Sequence, residues 1–300
     1  DARGEWYHKA AGFGGIDPFF TPDPRELVDE IGDSMTKHHC KEFKKIYDPD
    51  AKLLDIVSAV NHGIGWFIAY QHGWHGGWGG IFTTPNVEFL NNTKKTPVVL
   101  TDSCSLGNFA GRTCFAEAWQ RLGTPEEPRG SILFLGSSAV IWHQTWTGLQ
   151  EMIRSLEEDK TFIAGEIIRA GMRKMVPMFP HGPDYEGPVT LQMWHIFGDP
   201  SRFVYTDTPT KMAVAHDSTL RGGSKTFRVR VSDAKGPVKK ALAALYMKGK
   251  LYGSAWSDET GTAVITLPHP ITESGEMEVN VTGYNKLPYF GKIDVARRKK

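Results

Sequence analysis

Two short apolar runs that each lead into a chemically reactive residue are the feature of this sequence that most constrains its fold. Trp66–Tyr70 reads WFIAY and leads into His72, and Val98–Leu100 leads into Cys104. Each run has the length and the continuous apolar character of a strand that is buried on both faces. Ligands of open α/β sheets bind at the carboxyl ends of the strands. If these two strands are parallel neighbours, the imidazole and the thiol meet at one edge of the sheet.

Helix patterns alternate with short apolar runs over the first two thirds of the chain. The segment Asp23-Pro24-Arg25-Glu26 predicts a helix start, because aspartate can cap the helix and proline suits its first position. Ser131–Leu135 predicts a third strand, and Arg202–Tyr205 predicts a last edge strand. This alternation predicts a mainly parallel sheet that is covered by helices on both faces, which is an α/β fold.

The pattern changes after Thr206. From there, short strand patterns separated by turn residues recur about every 8–12 residues, and no helix pattern intervenes. This spacing predicts a β-sandwich of about seven strands. We therefore expect two domains, an α/β domain at residues 1–206 and a β-sandwich domain at residues 207–300.

The composition gives no support to several classes of function. The 35 basic and 34 acidic residues leave a formal net charge of +1, which gives no electrostatic reason to expect binding of nucleic acid or of a membrane surface. No apolar run approaches the roughly 18–20 residues that span a bilayer. Three cysteines are too few for a disulfide scaffold. The first residues, DARGEWYHKAAGFGG, show no signal-peptide pattern, and we interpret the chain as a processed or trimmed fragment.

The residues after the two strands are compatible with more than one chemistry. A cysteine nucleophile needs a nearby acid–base group, which His72 would supply to Cys104, although a cysteine that ends an apolar strand is most often a small buried hydrophobe. His75 lies three residues after His72, and two imidazoles at that spacing could share a zinc ion with Cys104 or His62. This zinc-hydrolase alternative lacks a helical His-Glu-x-x-His framework and a clear carboxylate base.

A set of short motifs occurs in a fixed order along most of the chain. They are GGI at 14–16, KIYDPDA at 45–51, HG at 72–73, LTDSCSLGNF at 100–109, CFAEAW at 114–119, GLQEM at 148–152, FGDPS at 197–201, PTKM at 209–212, YGSA at 252–255 and VTGYNK at 281–286. Together they resemble the gingipain-type cysteine peptidases, which are peptidase family C25 of the caspase-like clan. The resemblance implies a caspase-like α/β sandwich at 1–206, followed by an immunoglobulin-like β-sandwich domain at 207–300.

The resemblance also implies a catalytic dyad. It assigns His72 as the catalytic histidine and Cys104 as the nucleophile, and it places the oxyanion hole at the backbone N–H groups of Gly73 and Cys104. The implied activity is that of a cysteine endopeptidase, which cleaves peptides or proteins through a thioester acyl-enzyme. The family habit further implies a bacterial protein that is secreted or held at the cell surface. No cofactor is expected except a structural calcium ion, for which no motif here identifies ligands.

Two departures from the family pattern concern acidic residues. Phe13 stands where the family has the acid that orients the catalytic histidine, so Asp17 and Asp23 are the candidates to replace it. Pro24 stands where arginine-specific members have an acid that lines the pocket for P1, the substrate residue whose carbonyl is attacked. We expect Asp23 to bind the substrate in its place.

The expected pocket is otherwise built from aromatic and apolar residues. Trp142 matches an aromatic wall of the P1 pocket, and the adjacent position that lysine-specific members use is Ile141, which is not acidic. The smaller N-terminal subdomain of the family has no counterpart here, so a separate N-terminal subdomain or a propeptide is an expected partner. These departures motivate an alternative function, a catalytically inactive gingipain-like binding or assembly module.

Overall fold

A computed structural model of the chain describes residues 4–18, 21–142, 145–178, 186–269, 271 and 273–296. It divides into two compact units, Asp1–Thr208 and Pro209–Lys300.

The first unit contains a six-stranded main sheet and a small three-stranded sheet. Its strands are β1 (Lys9–Gly14), β2 (Glu42–Tyr47), β3 (Trp66–Tyr70), the short strands of the small sheet, β4 (Gly73–Trp74), β5 (Gly77–Trp78) and β6 (Phe82–Thr83), then β7 (Val98–Asp102), β8 (Leu133–Ser137) and β9 (Trp194–Gly198). Its helices are α1 (Pro24–His38), α2 (Leu53–His62), α3 (Phe115–Arg121), α4 (Trp146–Glu157), α5 (Ala164–Met178) and α6 (Glu186–Met193), with 3-10 turns at Glu5–His8 and Thr84–Phe89.

The main sheet has the strand order β2-β1-β3-β7-β8-β9. The first five of these strands are parallel, and β9 runs antiparallel to β8. The predicted mainly parallel sheet is confirmed, but the predicted edge strand at Arg202–Tyr205 is wrong. That segment contributes only an isolated bridge between Phe203 and Ile163, and the edge strand is β9.

Side chains of β3 alternate between two cores, one on each face of the sheet. Phe67 and Ala69 pack into the core that includes residues of α2 and α3, and Trp66 and Ile68 pack into the core that includes residues of α1, α4 and α5. All five residues of β3 are buried. Burial of a large apolar side chain contributes about 1.5–3 kcal/mol relative to exposure. Packing on both faces therefore stabilises β3 in the interior of the sheet.

The helix predicted at Asp23 begins as expected. The Asp23 side chain caps α1 by accepting a hydrogen bond from the backbone N–H of Arg25 at 2.8 Å, and Pro24 occupies the first turn. This cap holds α1 at the carboxyl end of β1.

The second unit consists of two sheets around its own core. The strands are β10 (Ala213–His216), β11 (Thr219–Arg221), β12 (Thr226–Asp233), β13 (Gly236–Pro237), β14 (Leu242–Met247), β15 (Lys250–Trp256), β16 (Thr262–Thr266), β17 (Gly275–Thr282) and β18 (Tyr289–Ala296). One sheet holds β10, β12, β13 and β16, and the other has the order β11-β18-β17-β14-β15. Their strand pairs are antiparallel except for β11 with β18, which are parallel. Buried and exposed residues alternate along β12, as they do in a strand with one face on a core.

Candidate active site

The candidate catalytic residues follow two neighbouring strands at the same level. Strands β3 and β7 are parallel, with Tyr70 paired to Asp102 at their carboxyl ends. His72 and Cys104 each come two residues after this pair. The sheet therefore brings the imidazole and the thiol to one edge, as the sequence predicts.

A cavity of about 450 Å³ lies at this edge. It is lined by Gly15, Ile16, Asp17, Pro24, Tyr70, Gln71, His72, Asp102, Ser103, Cys104, Val140, Ile141 and Trp142. Clefts of this size with few polar groups are typical of small-molecule and peptide side-chain pockets. The predicted dyad and the predicted aromatic wall Trp142 thus share one cavity.

An acidic partner for the histidine comes from the loop after β1. The Asp17 Oδ2 lies 2.9 Å from His72 Nε2, and the Asp17 side chain is 10% exposed, whereas that of His72 is 59% exposed. Phe13 is fully buried within β1. The carboxylate is therefore supplied by Asp17, four positions after the residue that the family pattern indicates, and not by Asp23.

Gln71 positions the backbone of the histidine, a role that the sequence analysis did not assign. Its Oε1 accepts a hydrogen bond from the backbone N–H of His72 at 2.7 Å, and its Nε2 donates to Asp48 Oδ2 at 2.5 Å. The Gln71 carboxamide also packs on Gly15 so closely that a Cβ at that glycine would overlap it. The sequence contained one indication of this role, because Gln71 is a polar residue between a buried strand and the candidate histidine.

The hairpin after His72 brings a glycine against the backbone of Cys104. A Cβ at Gly73 would lie 2.5 Å from the Cys104 carbonyl oxygen, so only glycine fits there. The N–H of Gly79 donates to the carbonyl of His72 at 2.9 Å. Hydrogen-bonded and non-hydrogen-bonded pairs alternate along antiparallel strands, so the next pair, Gly73 with Trp78, is non-hydrogen-bonded. The Gly73 N–H therefore makes no hydrogen bond between β4 and β5. This arrangement is compatible with an oxyanion hole at Gly73 and Cys104, which stays a prediction.

The loop that carries Cys104 is tied to the segment after β8. The N–H of Ser105 donates to the carbonyl of Ala139 at 2.9 Å, and Ser105 has a positive φ of 56°. The thiol lies 3.7 Å from the carbonyl oxygen of Ile141. Burial raises the pKa of the Cys104 thiol above its ordinary value. The free site therefore holds a thiol, and a base must remove its proton.

A second buried carboxylate lines the cavity at the end of β7. Asp102 is 2% exposed, and its Oδ1 accepts a hydrogen bond from Thr145 Oγ1 at 2.5 Å. Its Oδ2 accepts no hydrogen bond from the residues that the structure describes. Burial raises the pKa of Asp102 to about 8, although the Thr145 hydroxyl opposes this shift. The sequence analysis missed this residue, whose signal was a charge at the end of an apolar strand.

The two predicted substrate-binding residues have different positions. Trp142 lines the cavity, whereas Asp23 is not among the described lining residues, although its neighbour Pro24 is. The Asp23 carboxylate forms an ion pair with Arg25 at 2.8 Å, and this side-chain hydrogen bond lowers the pKa of Asp23. A role of Asp23 in substrate binding stays a prediction that this geometry does not favour.

The zinc alternative has no ligand set in the described ranges. Those ranges contain no group of three or more histidine, cysteine or acidic side chains that could hold a metal ion. His62 Nδ1 is hydrogen bonded to the carbonyl of Ser58 at 2.7 Å, and the His75 ring packs edge-on against Trp74. Among the helices described, none has both the length and the apolar character to span a bilayer.

Comparisons with family models match both units. The model for peptidase family C25 matches residues 8–205, and the model for the C-terminal ig-like domain of family C25 matches residues 226–296. Gingipain R2 of Porphyromonas gingivalis (strain ATCC BAA-308 / W83) is 30% identical over an alignment of 274 residues that covers 88% of this chain and 36% of that relative. Lys-gingipain HG66 of Porphyromonas gingivalis is 21% identical over an alignment of 316 residues that covers 96% of this chain and 18% of that relative. The chain spans about a third or less of the length of these relatives.

Solved structures show the same fold. The crystal structure of the Arg specific cysteine proteinase gingipain R superimposes with a TM-score of 0.85 at 26% identity, over 97% of this chain and 68% of that one. The complex of Porphyromonas gingivalis RgpB pro- and mature domains gives a TM-score of 0.86 at 26% identity, over 97% and 70% of the two chains. These matches confirm the predicted fold class, a caspase-like α/β sandwich followed by an immunoglobulin-like domain.

Proposed function

The chain belongs to peptidase family C25, and from that premise we propose that it is a cysteine endopeptidase in which Cys104 and His72 form the catalytic dyad. The observation that carries this proposal is the pairing of Tyr70 with Asp102, which brings both catalytic side chains to one cavity. The substrates are peptides or proteins. The alternative of an inactive binding module loses part of its motivation, because Asp17 supplies the carboxylate that Phe13 does not.

Acylation begins with proton transfer from the Cys104 thiol to the His72 imidazole, because the raised thiol pKa leaves little preformed thiolate. The thiolate sulfur then attacks the P1 carbonyl carbon and forms a tetrahedral intermediate. Its oxyanion accepts hydrogen bonds from the N–H groups of Gly73 and Cys104. The scissile C–N bond breaks as the His72 imidazolium donates its proton to the leaving amine, and a thioester remains on Cys104.

Deacylation reverses the role of the histidine. His72 takes a proton from a water molecule as the water oxygen attacks the thioester carbonyl. The C–S bond then breaks, the carboxylic acid product leaves, and the proton on His72 returns to the thiolate of Cys104. The two steps together consume one water molecule and regenerate the Cys104 thiol and the neutral His72 imidazole.

Asp17 acts through the histidine. Its carboxylate, at 2.9 Å from Nε2, orients the ring and stabilises the imidazolium that forms during both steps. Nδ1 is then the ring nitrogen that exchanges the proton with the thiol.

Location and partners follow from the family. We place the protein outside the cytoplasm, secreted or at the cell surface, and we expect it to bind a propeptide or a further subdomain. The similarity to a complex of pro- and mature domains supports such a partner. A structural calcium ion stays a prediction.

The test compares the wild type with Cys104→Ala on a diverse peptide mixture under reducing conditions, read by mass spectrometry. Cleavage by the wild type and none by Cys104→Ala is expected. Cys114→Ala is the matched control, because Cys114 is fully buried in the core and lies outside the lining of the cavity, so its loss is expected to preserve cleavage. Activity that survives in Cys104→Ala would overturn the assignment. A wild type that neither cleaves peptides nor reacts at Cys104 with an electrophilic peptide would favour the inactive module.

A further inference from the structure

Asp102 is a buried acid that the proposed mechanism does not use. It lines the same cavity as Cys104 and lies two residues before it in the chain. We propose that Asp102 selects the P1 side chain of the substrate and that it selects lysine. This assignment rests on the proposed peptidase function, because it concerns the pocket beside the same nucleophile.

The position of Asp102 is that of a residue that meets the P1 side chain. The attacked carbonyl carbon must lie against the Cys104 sulfur, so the side chain of the same substrate residue enters the adjoining cavity. Asp102 is at the carboxyl end of β7, and Tyr70 is its pair on β3. Trp142 and Pro24 also line this space. A carboxylate among such walls interacts strongly with a cation that has lost its water.

One carboxylate oxygen of Asp102 has no hydrogen-bond donor among the described residues. Thr145 Oγ1 binds Oδ1, and Oδ2 has no partner in the ranges that the structure describes. Buried carboxylates in folded proteins are normally paired or hydrogen bonded at both oxygens. A cationic substrate group that reaches the cavity floor would complete the set.

Asp102 is also the acid that remains for the substrate when the other acids are assigned. Of the two carboxylates among the described lining residues, Asp17 contacts His72. On α1, the position that carries the acid in arginine-specific members is Pro24, and the neighbouring Asp23 is paired with Arg25 outside the lining. The acidic anchor of the pocket therefore comes from the strand that carries the nucleophile, and not from the helix.

The single unpartnered oxygen favours lysine over arginine. A guanidinium binds a carboxylate best as a fork, with two parallel N–H donors on two oxygens. At Asp102 one oxygen is already held by Thr145. The ammonium of lysine is a compact point charge that needs only one acceptor on the anchor. We therefore expect lysine to be preferred to arginine, although the relative named as Arg specific is more similar in sequence than the Lys-gingipains.

The pH dependence of lysine selection adds a signature. Burial raises the pKa of Asp102 to about 8 in the free protein, and a bound ammonium favours the ionised form, so lysine binding releases a proton. Preference for lysine should then rise with pH up to about 8. Asp17, His72, Cys104 and Tyr70 also face the cavity. These groups are present in both the wild type and Asp102→Asn, so the difference between the pH profiles of the two proteins isolates the contribution of Asp102.

The test uses three peptides that differ only at P1, with lysine, arginine or norleucine, a linear side chain without the ammonium. The wild type should cleave the lysine peptide with a kcat/KM about 100-fold or more above that of the norleucine peptide, and above that of the arginine peptide. Asp102→Asn should reduce the lysine-to-norleucine ratio to within about threefold of unity. Asp23→Asn is the matched control for the rival anchor, and it should keep the ratio of the wild type.

A second measurement needs no variant and no turnover. n-Butylamine, which carries the end of a lysine side chain, should slow the labelling of Cys104 by a small thiol reagent, and the uncharged n-butanol should not. Equal effects of the two compounds, a wild type that prefers norleucine, or loss of the ratio in Asp23→Asn but not in Asp102→Asn would each overturn the role of Asp102 and leave the peptidase assignment standing. No cleavage of any peptide together with no labelling of Cys104 would overturn the peptidase assignment itself.

Discussion

The loop after β1 and the end of β7 each place a buried carboxylate on the same cavity, and the two carboxylates have opposite surroundings. Asp17 has an ionisable partner within the protein, the imidazole of His72 at 2.9 Å. Asp102 has a neutral hydroxyl at one oxygen and no described partner at the other. The difference separates two uses of an acid in one site. In the proposed peptidase, the paired carboxylate assists the catalytic histidine, and the unpaired one is proposed to bind the substrate.

The largest expected effect is on the free energy of unfolding, which should depend on pH because the buried Asp102 has an unpaired oxygen. A carboxyl whose pKa is about 8 in the folded protein and about 3.8 when unfolded takes up a proton on folding across that range. The free energy of unfolding therefore falls by about 1.4 kcal/mol for each pH unit between pH 4 and 8. Asp102→Asn removes this dependence, so its stability relative to the wild type should rise with pH by an amount on the order of 5 kcal/mol.

Chemical denaturation of the two proteins at pH 4.5, 6.5 and 8.5 measures this change. Asp17→Asn, at a carboxylate that has a partner, is the comparison variant and should not show the same gain with pH. A constant difference in stability between Asp102→Asn and the wild type at all three pH values would mean that the Asp102 carboxylate has a partner after all.

The next effect concerns the paired carboxylate. Asp17→Asn keeps the size of the side chain but removes the charge that stabilises the His72 imidazolium, so kcat should fall about 100-fold, or about 2.7 kcal/mol, for every P1 residue. Steady-state kinetics on the lysine and norleucine peptides measures this, and the ratio between the two peptides should stay that of the wild type. If the ratio collapsed with the rate, the two carboxylates would not have separate roles.

The smallest effect concerns the hydroxyl that holds Asp102. Thr145→Val removes the hydrogen bond that opposes the burial shift, so the pKa of Asp102 should rise further. The pH at which lysine preference reaches half its maximum should then move upward by up to about one unit. Thr145→Ser keeps the hydroxyl and is the matched control. A downward shift, or the same shift in both variants, would contradict this role of Thr145.

The strands of the β-sandwich unit show which strands alternating sequence patterns predict and which they do not. Strands such as β12 and β16 belong to the recurring strand patterns that predict a β-sandwich after Thr206, and buried and exposed residues alternate along both. The strand β18 (Tyr289–Ala296) was not predicted, although Lys292 and Asp294 fall at exposed positions of an alternating strand, since Gly291 weakens the strand pattern. This strand pairs with β17, where Met277 faces Ile293. Contacts with the neighbouring strand, and not local sequence preference, therefore define it. The last edge strand was predicted at Arg202–Tyr205, whereas the edge position is taken by β9, which pairs antiparallel with β8.

The sequence alone determined the parts of the site that local patterns encode. The apolar runs before His72 and Cys104 predict two buried strands, and the order of the motifs predicts the family, because burial on both faces of a sheet permits little but apolar residues. The helix start at Asp23 was readable because capping is a contact between close neighbours in the chain.

Only the tertiary structure decided which partner each aspartate contacts. Asp17 reaches His72 across 55 positions of the sequence and Asp102 meets Thr145 across 43, and no local preference encodes such contacts. Asp23, Asp17 and Asp102 are the same residue type, but their surroundings differ, because Asp23 contacts Arg25, Asp17 contacts His72, and Asp102 lines a largely apolar cavity. The residue type supplies the carboxyl group, whereas the fold decides its partner and, at Asp102, raises its pKa.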